Sequence, residues 1–208
     1  MRIVLVGSTG VIGSAVAAEL VKRHDVVAVG RTSGSFQVDI AEPDSIDHLF
    51  DKVGAFDALV CTAGAVHYAP LKEFTNEQFE IGLRSKLMGQ VNLVVRGLKH
   101  INDNGAFTLT SGLTNEDPIR QGSSAALVNG ALDGFVRSAA IELERGVRIN
   151  LVSPTLVQES VHLYGDFFPG TATMPVREVA LGYVKSVEGG QTGRVYRMGW
   201  VRDAQSPQ

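Results

Sequence analysis

A single α/β domain, one doubly wound parallel sheet of about seven strands with helices on both faces, is predicted by three features of the sequence. Short β-branched apolar runs alternate with longer segments of helical period, which argues for parallel strands joined by helical crossovers. The runs are continuously apolar, as strands covered on both faces are. The length of 208 residues suits one domain with a well-buried core.

Strands are expected at 2–6 (RIVLV), 25–30 (DVVAVG), 35–38 (SFQV), 57–62 (DALVCT), 105–111 (GAFTLTS), 147–153 (VRINLVS) and 194–198 (RVYRM). Helices are expected near 11–24, 43–54, 75–101, 123–145 and 175–187. Pro43 and the acidic residues around it mark the start of the second helix. The stretch SSAALVNGALDGF at 123–135 opens an Ala/Gly-rich helix able to pack closely against another. No repeat, low-complexity segment or linker divides the chain. Residues 1–202 read as one domain, and 203–208 (DAQSPQ) as a frayed tail.

Composition narrows the partners. Hydrophobic residues make up 44% and charged residues 20%, ordinary for a soluble globular protein. A net charge of −3 without a basic run gives no pull toward nucleic acid or anionic membrane. No apolar stretch approaches the roughly 18 residues that span a bilayer, and the N-terminus opens on a strand, not on a signal peptide. The single Cys61 excludes an internal disulfide and reads as a buried structural thiol. A reducing, cytoplasmic setting is expected. No His/Cys/Glu cluster has metal-ligand spacing, so no metal is expected.

The first strand runs directly into GSTGVIG, with Gly7, Gly10 and Gly13 before the first helix. The chain must turn sharply there, approach a diphosphate with its backbone and pack the helix on the sheet; each task favours a residue without a side chain. The helix start at Val11, Ile12 and Gly13 offers unpaired N–H groups to phosphate, and Ser8 and Thr9 can add hydroxyl donors. A Rossmann-like dinucleotide site follows from that placement, although a purely structural turn would use similar residues. At the end of the second strand stand Arg31 and Thr32, with no acid before Asp39. A guanidinium beside hydroxyls suits the 2′-phosphate of NADP(H), so NADP(H) is favoured over NAD(H). The alternative is a solvated surface arginine.

GSTGVIG, VDI at 38–40, CTAG at 61–64, TLTSG at 108–112 and RINLVSPTLV at 148–157 together resemble the short-chain dehydrogenase/reductase family. The glycine spacing is closer to the family's extended branch, the short length to its compact branch. The resemblance implies that Asp39 and Ile40 flank the adenine, that Ala63 and Gly64 lie under the adenosine ribose, and that Pro154, Thr155 and Val157 meet the nicotinamide carboxamide. Thr155 stands where the family has glycine.

The resemblance breaks at the chemistry. The family uses a Tyr that donates a proton, a Lys four residues later that lowers the Tyr pKa and holds the nicotinamide ribose, a Ser that orients the carbonyl, and an Asn that anchors a proton relay. Here Ala125 stands at the Tyr position and Asn129 at the Lys position. Ser111 falls at or beside the Ser position, with Gly112 as the alternative, and Lys86 stands where Asn is expected. Lys and Asn thus look exchanged between two helices. Either Lys86 restores the positive charge near the nicotinamide ribose from the opposite side, with Asn129 beside it, or it points to solvent as most helical lysines do. The one Tyr-x-x-x-Lys match, Tyr68–Lys72, contains Pro70 and belongs in a loop.

Residues 156–175 correspond to the family's substrate lid. Within it, Tyr164 or His162 is a candidate acid, although lid aromatics more often shape an apolar pocket; His67 and Tyr68 after CTAG can also approach the reaction centre. Phe167, Phe168, Pro169 and Gly170 fit a wall and hinge. Helices 75–101 and 123–145 match the pair through which the family forms dimers, so a homodimer or homotetramer is expected. The expected activity is an NADP(H)-dependent oxidoreductase with a non-standard site, acting on a small carbonyl or alcohol. The alternatives are a catalytically silent NADP(H)-binding sensor or assembly protein, and a non-redox isomerase or dehydratase.

Overall fold

The computed structural model describes residues 1–200. Seven parallel strands form one sheet in the order β3-β2-β1-β4-β5-β6-β7. They are β1 (Arg2–Val6), β2 (Asp25–Gly30), β3 (Phe36–Gln37), β4 (Phe56–Cys61), β5 (Ile101–Thr110), β6 (Arg148–Pro154) and β7 (Val195–Met198). The chain starts in the middle of the sheet, winds outward to β3, then returns past β1 and winds out to β7. The reversal between β1 and β4 opens a crevice at the carboxyl ends of the strands, where α/β sheets bind ligands.

The central strands are buried on both faces. Along β1, Ile3 and Leu5 pack on one side with Val16 and Leu20 of helix α1 (Val11–Leu20) and with Val179 and Tyr183 of α7 (Val176–Glu188). Val4 and Val6 face the other side, toward Ile46 and Phe50 of α2 (Pro43–Val53). That same layer holds Leu93 of α4 (Gly89–Gly97) and Leu132 and Val136 of α5 (Ser123–Glu142). All of these side chains are at most 1% exposed. Continuous apolar strands therefore carry a core on each face.

Three elements depart from the sequence reading. The helix expected over 75–101 is divided: α3 (Asn76–Ile81), capped by Thr75 and Gln78, passes into a π-helical segment over Gly82–Met88 before α4 resumes the ordinary pitch. The strand expected from 105 begins at Ile101, because Ile101 pairs with Phe56 before the register shifts to Ala106 opposite Ala58. The third strand shrinks to two residues. The loop reading of Tyr68–Lys72 agrees with the structure, which shows only a short 3-10 turn over Leu71–Glu73. The lid segment folds as short helical turns, among them α6 (Val161–Tyr164). The tail read at 203–208 lies outside the described residues, as do the last two residues of the domain read at 1–202.

Helix α7 is tied to the sheet by buried polar contacts as well as by apolar packing. The Tyr183 hydroxyl lies 2.8 Å from Thr110 Oγ1, which donates to the Cys61 carbonyl at 2.6 Å. Thr110 Oγ1 has only one proton, so the Tyr183 hydroxyl donates to it. Tyr183→Phe keeps the ring and deletes one buried hydrogen bond. Urea unfolding is expected to show a loss of about 1 kcal/mol.

Candidate active site

The loop after β1 is closed by two contacts that a side chain would break. Gly7 adopts φ +87°, and a Cβ placed on Gly13 would lie 2.0 Å from the Gly7 carbonyl oxygen. Thr62 Oγ1, at the end of β4, lies within hydrogen-bond distance of the carbonyls of Val6 and Gly7, which fastens the loop to the neighbouring strand. Thr9, Gly10 and Val11 are exposed above it, at the amino end of α1, while Ile12 turns into the neighbouring cleft. Ser8 departs from the sequence reading. Its backbone N–H and its hydroxyl both point to the Val29 carbonyl, because the side chain is buried against β2, so its hydroxyl is not among the loop's outward donors.

Two hollows flank this loop at the carboxyl ends of the strands and meet over Ala63, Gly64 and Ala65. The smaller, of about 260 Å³, is bounded by Gly7, Arg31, Asp39, Ile40 and Ser85. Arg31 is exposed. Thr32 is exposed outside the hollow, its carbonyl accepting from Gln37. Asp39 accepts from the Ala41 N–H, which fixes its carboxylate at the rim.

The larger hollow, of about 530 Å³, is lined by Ile12, Lys86, Ser111, Ala125, Asn129, Pro154, Thr155 and Val157, with Tyr68, Tyr164 and Phe168 at the lid side. A groove of this shape, with a glycine-rich turn beneath its middle and an exposed guanidinium at one end, fits a dinucleotide. Gly7 and Gly10 spend their N–H groups on the Val29 and Gly7 carbonyls, so the helix start at Val11–Gly13 would hold the diphosphate, with Arg31 at the adenosine end and the larger hollow taking the redox-active ring. Such a cofactor supplies hydride chemistry when bound.

The structure brings Lys86, Ser111, Asn129 and Ala125 to one place. Ala125 lies flat in the wall, 1% exposed, with no group able to give a proton. Asn129 is 2% exposed; its Nδ2 donates to the Gly112 carbonyl and to Thr114 Oγ1, while its Oδ1 is buried without a partner. The Ser111 hydroxyl is also buried and unpartnered. Lys86 is half-buried, and its amine turns inward, away from bulk solvent. It leaves the π-helical segment, crosses Gly64 and donates from Nζ to the Ser111 carbonyl at 3.0 Å. Gly64 is required there: at φ +145°, any Cβ would meet the Lys86 stem at 2.8 Å.

Burial lowers Lys86 from the usual lysine range to about 8. Burial likewise pushes the Cys61 thiol up to about 12, so Cys61 stays protonated and inert.

Gln90 was not legible as a site residue. It is 0% exposed and mimics a strand edge: Nε2 donates to the Thr110 carbonyl and Oε1 accepts the Thr110 N–H, both at 2.8 Å. The same Nε2 lies 3.0 Å from the Lys86 carbonyl, so Gln90 joins the π-helical segment to the end of β5. Its four-residue spacing from Lys86 was the available signal. Tyr68 reaches the cleft despite its loop setting, packed against Phe167. His67 packs on Phe74 instead. His162 is exposed and lines neither hollow.

A family model described as enoyl-(acyl carrier protein) reductase matches residues 9–171. The chain belongs to the short-chain dehydrogenase/reductase family. This short-chain dehydrogenase/reductase superposes on the Listeria innocua protein lin1944 with TM-score 0.94 and 47% identity, covering 95% of this chain and 98% of that one. It also matches the fold of a small-chain dehydrogenase crystallised with NADPH, at 24% identity, TM-score 0.84 and coverage of 95% and 96%. Among curated proteins it is 25% identical to versicolorin reductase 1 of Dothistroma septosporum, over 79% of this chain and 73% of that protein. It is 26% identical to versicolorin reductase stcU of Emericella nidulans, over 67% of this chain and 55% of that one. The chain thus spans 73% and 55% of the length of these two curated relatives.

The buried ammonium makes a stability prediction with a definite sign. The folded state releases the Lys86 proton near pH 8, the unfolded chain only near about pH 10. The penalty for holding the charge is full below the lower value and vanishes above the upper one. Lys86→Met keeps the stem and drops the charge. It is expected to raise stability by about 1–3 kcal/mol at neutral pH. The gain should fade in urea titrations above about pH 10.

Proposed function

We propose that the protein is an NADP(H)-dependent oxidoreductase that acts on a small, partly apolar carbonyl or alcohol through a non-standard active site. The observation that carries this reading is the continuity of the groove: an unobstructed glycine turn joins the exposed Arg31 to a cleft containing a buried ammonium. Family membership supports the redox class. Arg31 supports the phosphorylated cofactor, because it stands exposed at the rim of the smaller hollow and no ion pair among the described residues competes for its guanidinium. The small-chain dehydrogenase of like fold that was crystallised with NADPH accords with that preference.

In this reading the wall residues bind and orient the substrate while apolar Val66, Leu113, Leu156 and Phe168 exclude water. Pro154, Thr155 and Val157 border the ring end of the cleft; Thr155 Oγ1 donates to the Ala172 carbonyl, tying the floor to the lid. Lys86 supplies the positive charge that the family's lysine would supply from α5, and Asn129 stands opposite. Tyr164 closes the rim as an apolar wall, and the lone reduced thiol accords with a cytoplasmic setting.

The test is a fluorescence titration with NADPH, followed by absorbance at the nicotinamide band across a carbonyl panel. Tight binding with turnover supports the reading; tight binding without any oxidation points to a silent NADP(H)-binding protein, and NADPH-independent conversion to an isomerase or dehydratase. Arg31→Ala is expected to weaken NADPH about 10- to 100-fold while leaving NADH nearly unchanged, the loss of one or two charge-assisted hydrogen bonds.

The same scaffold supports a homodimer, or a tetramer built from it, through the faces of α3–α4 and α5. Val95 is 53% exposed, Leu127 49% and Ile141 86%, and a Cβ at Gly134 would meet nothing within 4 Å. Ile141→Asp is expected to shift the mass measured by light scattering to that of one chain, with the fold intact by circular dichroism.

A further inference from the structure

The larger hollow contains an ammonium without a counter-ion. Of the three N–H bonds on Lys86 Nζ, one goes to the Ser111 carbonyl, and no carboxylate among the described residues pairs with the charge. Such a group is costly to desolvate unless an oxygen completes its hydrogen bonds, and the hollow has room for that of water or of a ligand that displaces it. It is also held still: Gly64 supports the stem, the π-helical turn sets its direction, and Gln90 clamps the backbone at its base. The groups facing it are few. Asn129 from α5 and Ser111 from β5 are neutral, Cys61 beneath it keeps its proton, and Tyr68 and Tyr164 stand at the lid side. Burial pushes Tyr68 above the ordinary phenol range. Among the residues lining the hollow, Lys86 is the one that exchanges a proton near neutral pH.

We propose that Lys86 is the catalytic acid of this cleft, its ammonium protonating the oxygen of an aldehyde or ketone in place of the absent phenol. This rests on the reductase reading above. The Lys86 N–H bond breaks and an O–H bond forms, with the electron pair left on nitrogen as a neutral amine. The carbonyl carbon gains hydrogen and two electrons from a reduced nicotinamide, and the π pair of the C=O bond becomes the pair that binds the proton. The amine then takes a proton from water, so one solvent proton enters the alcohol product per turnover. Ala125, which replaces a ring with a methyl group, leaves the substrate room to approach from α5. A lysine lowered to about 8 suits an acid working near neutrality, where its charged form dominates and its proton leaves readily.

Two readouts test this. In the nucleotide-free protein, the rate at which Lys86 is acetylated by acetic anhydride, followed by peptide mass spectrometry, should rise with a midpoint near pH 8 while surface lysines titrate about two units higher. In the loaded enzyme, carbonyl reduction should be level below that pH and fall above it. Lys86→Arg keeps the charge but cannot release a proton; it should bind NADPH within about threefold of the unsubstituted chain yet reduce substrate about 10²-fold or more slowly, with the break near pH 8 gone. Lys86→Met should lose turnover to the same extent. An acetylation midpoint above about pH 10, or a Lys86→Arg enzyme that turns over nearly as well as the original, would overturn the acid and leave Lys86 a fixed charge. Absence of NADPH binding in the unsubstituted chain overturns the reductase reading itself, a result separate from either.

Discussion

The close approach of α1 to the end of β1 governs the shape of the groove at the carboxyl ends of the strands. The Gly7 carbonyl sits so near Gly13 that even a methyl group on Gly13 would have to displace it. That contact lets the first helix begin almost on the sheet and leaves Thr9–Val11 uncovered at its amino end. The Thr62 hydroxyl completes the constraint from β4, across the point where strand order reverses. Everything along the groove, from Arg31 to Lys86, is positioned relative to that turn.

In the proposed reading, the far end of the groove departs from the family's usual chemistry in a concerted way. Ala125 and Asn129 on α5 stand where the resemblance implies a phenol and a cation, and Lys86 on the π-helical segment offers a cation from the other side. Asn129 is not idle in its new setting, since it bridges the Gly112 carbonyl and Thr114 and steadies the loop after β5. The restored charge is accommodated by a glycine under its stem and a buried glutamine behind its backbone. A decaying site would not be expected to hold an ammonium in a cleft without a counter-ion, because the burial of an unpaired charge destabilises the fold.

Much of the architecture was legible because each central strand is apolar on both faces, and that pattern has few other solutions. The glycine turn was legible for a similar reason, since its spacing reflects a steric need. The rest depended on tertiary geometry that leaves little trace in sequence. The π-helical turn within 75–101 keeps the same residue types as an ordinary helix, so nothing in SKLMGQVNL signals the change of pitch that aims Lys86 inward. Gln90 reads as one more polar helical residue, yet it acts as a strand edge for Thr110. Ser8 belongs to a loop whose hydroxyls look like phosphate donors, but backbone geometry turns its side chain onto Val29. The early start of β5 rests on one pairing, Ile101 with Phe56, made across an irregular stretch of polar residues.

The central claim is that one groove carries a dinucleotide from Arg31, over the glycine turn, to the buried ammonium. A crystal structure of the protein grown with NADPH tests it most directly. Density is expected for the diphosphate against the backbone of Gly7–Gly13, for the ribose phosphate within reach of Arg31, and for the nicotinamide in the hollow beside Lys86 and Ser111. Nucleotide bound elsewhere, or a glycine turn closed over by neighbouring side chains with the hollow empty, would contradict it.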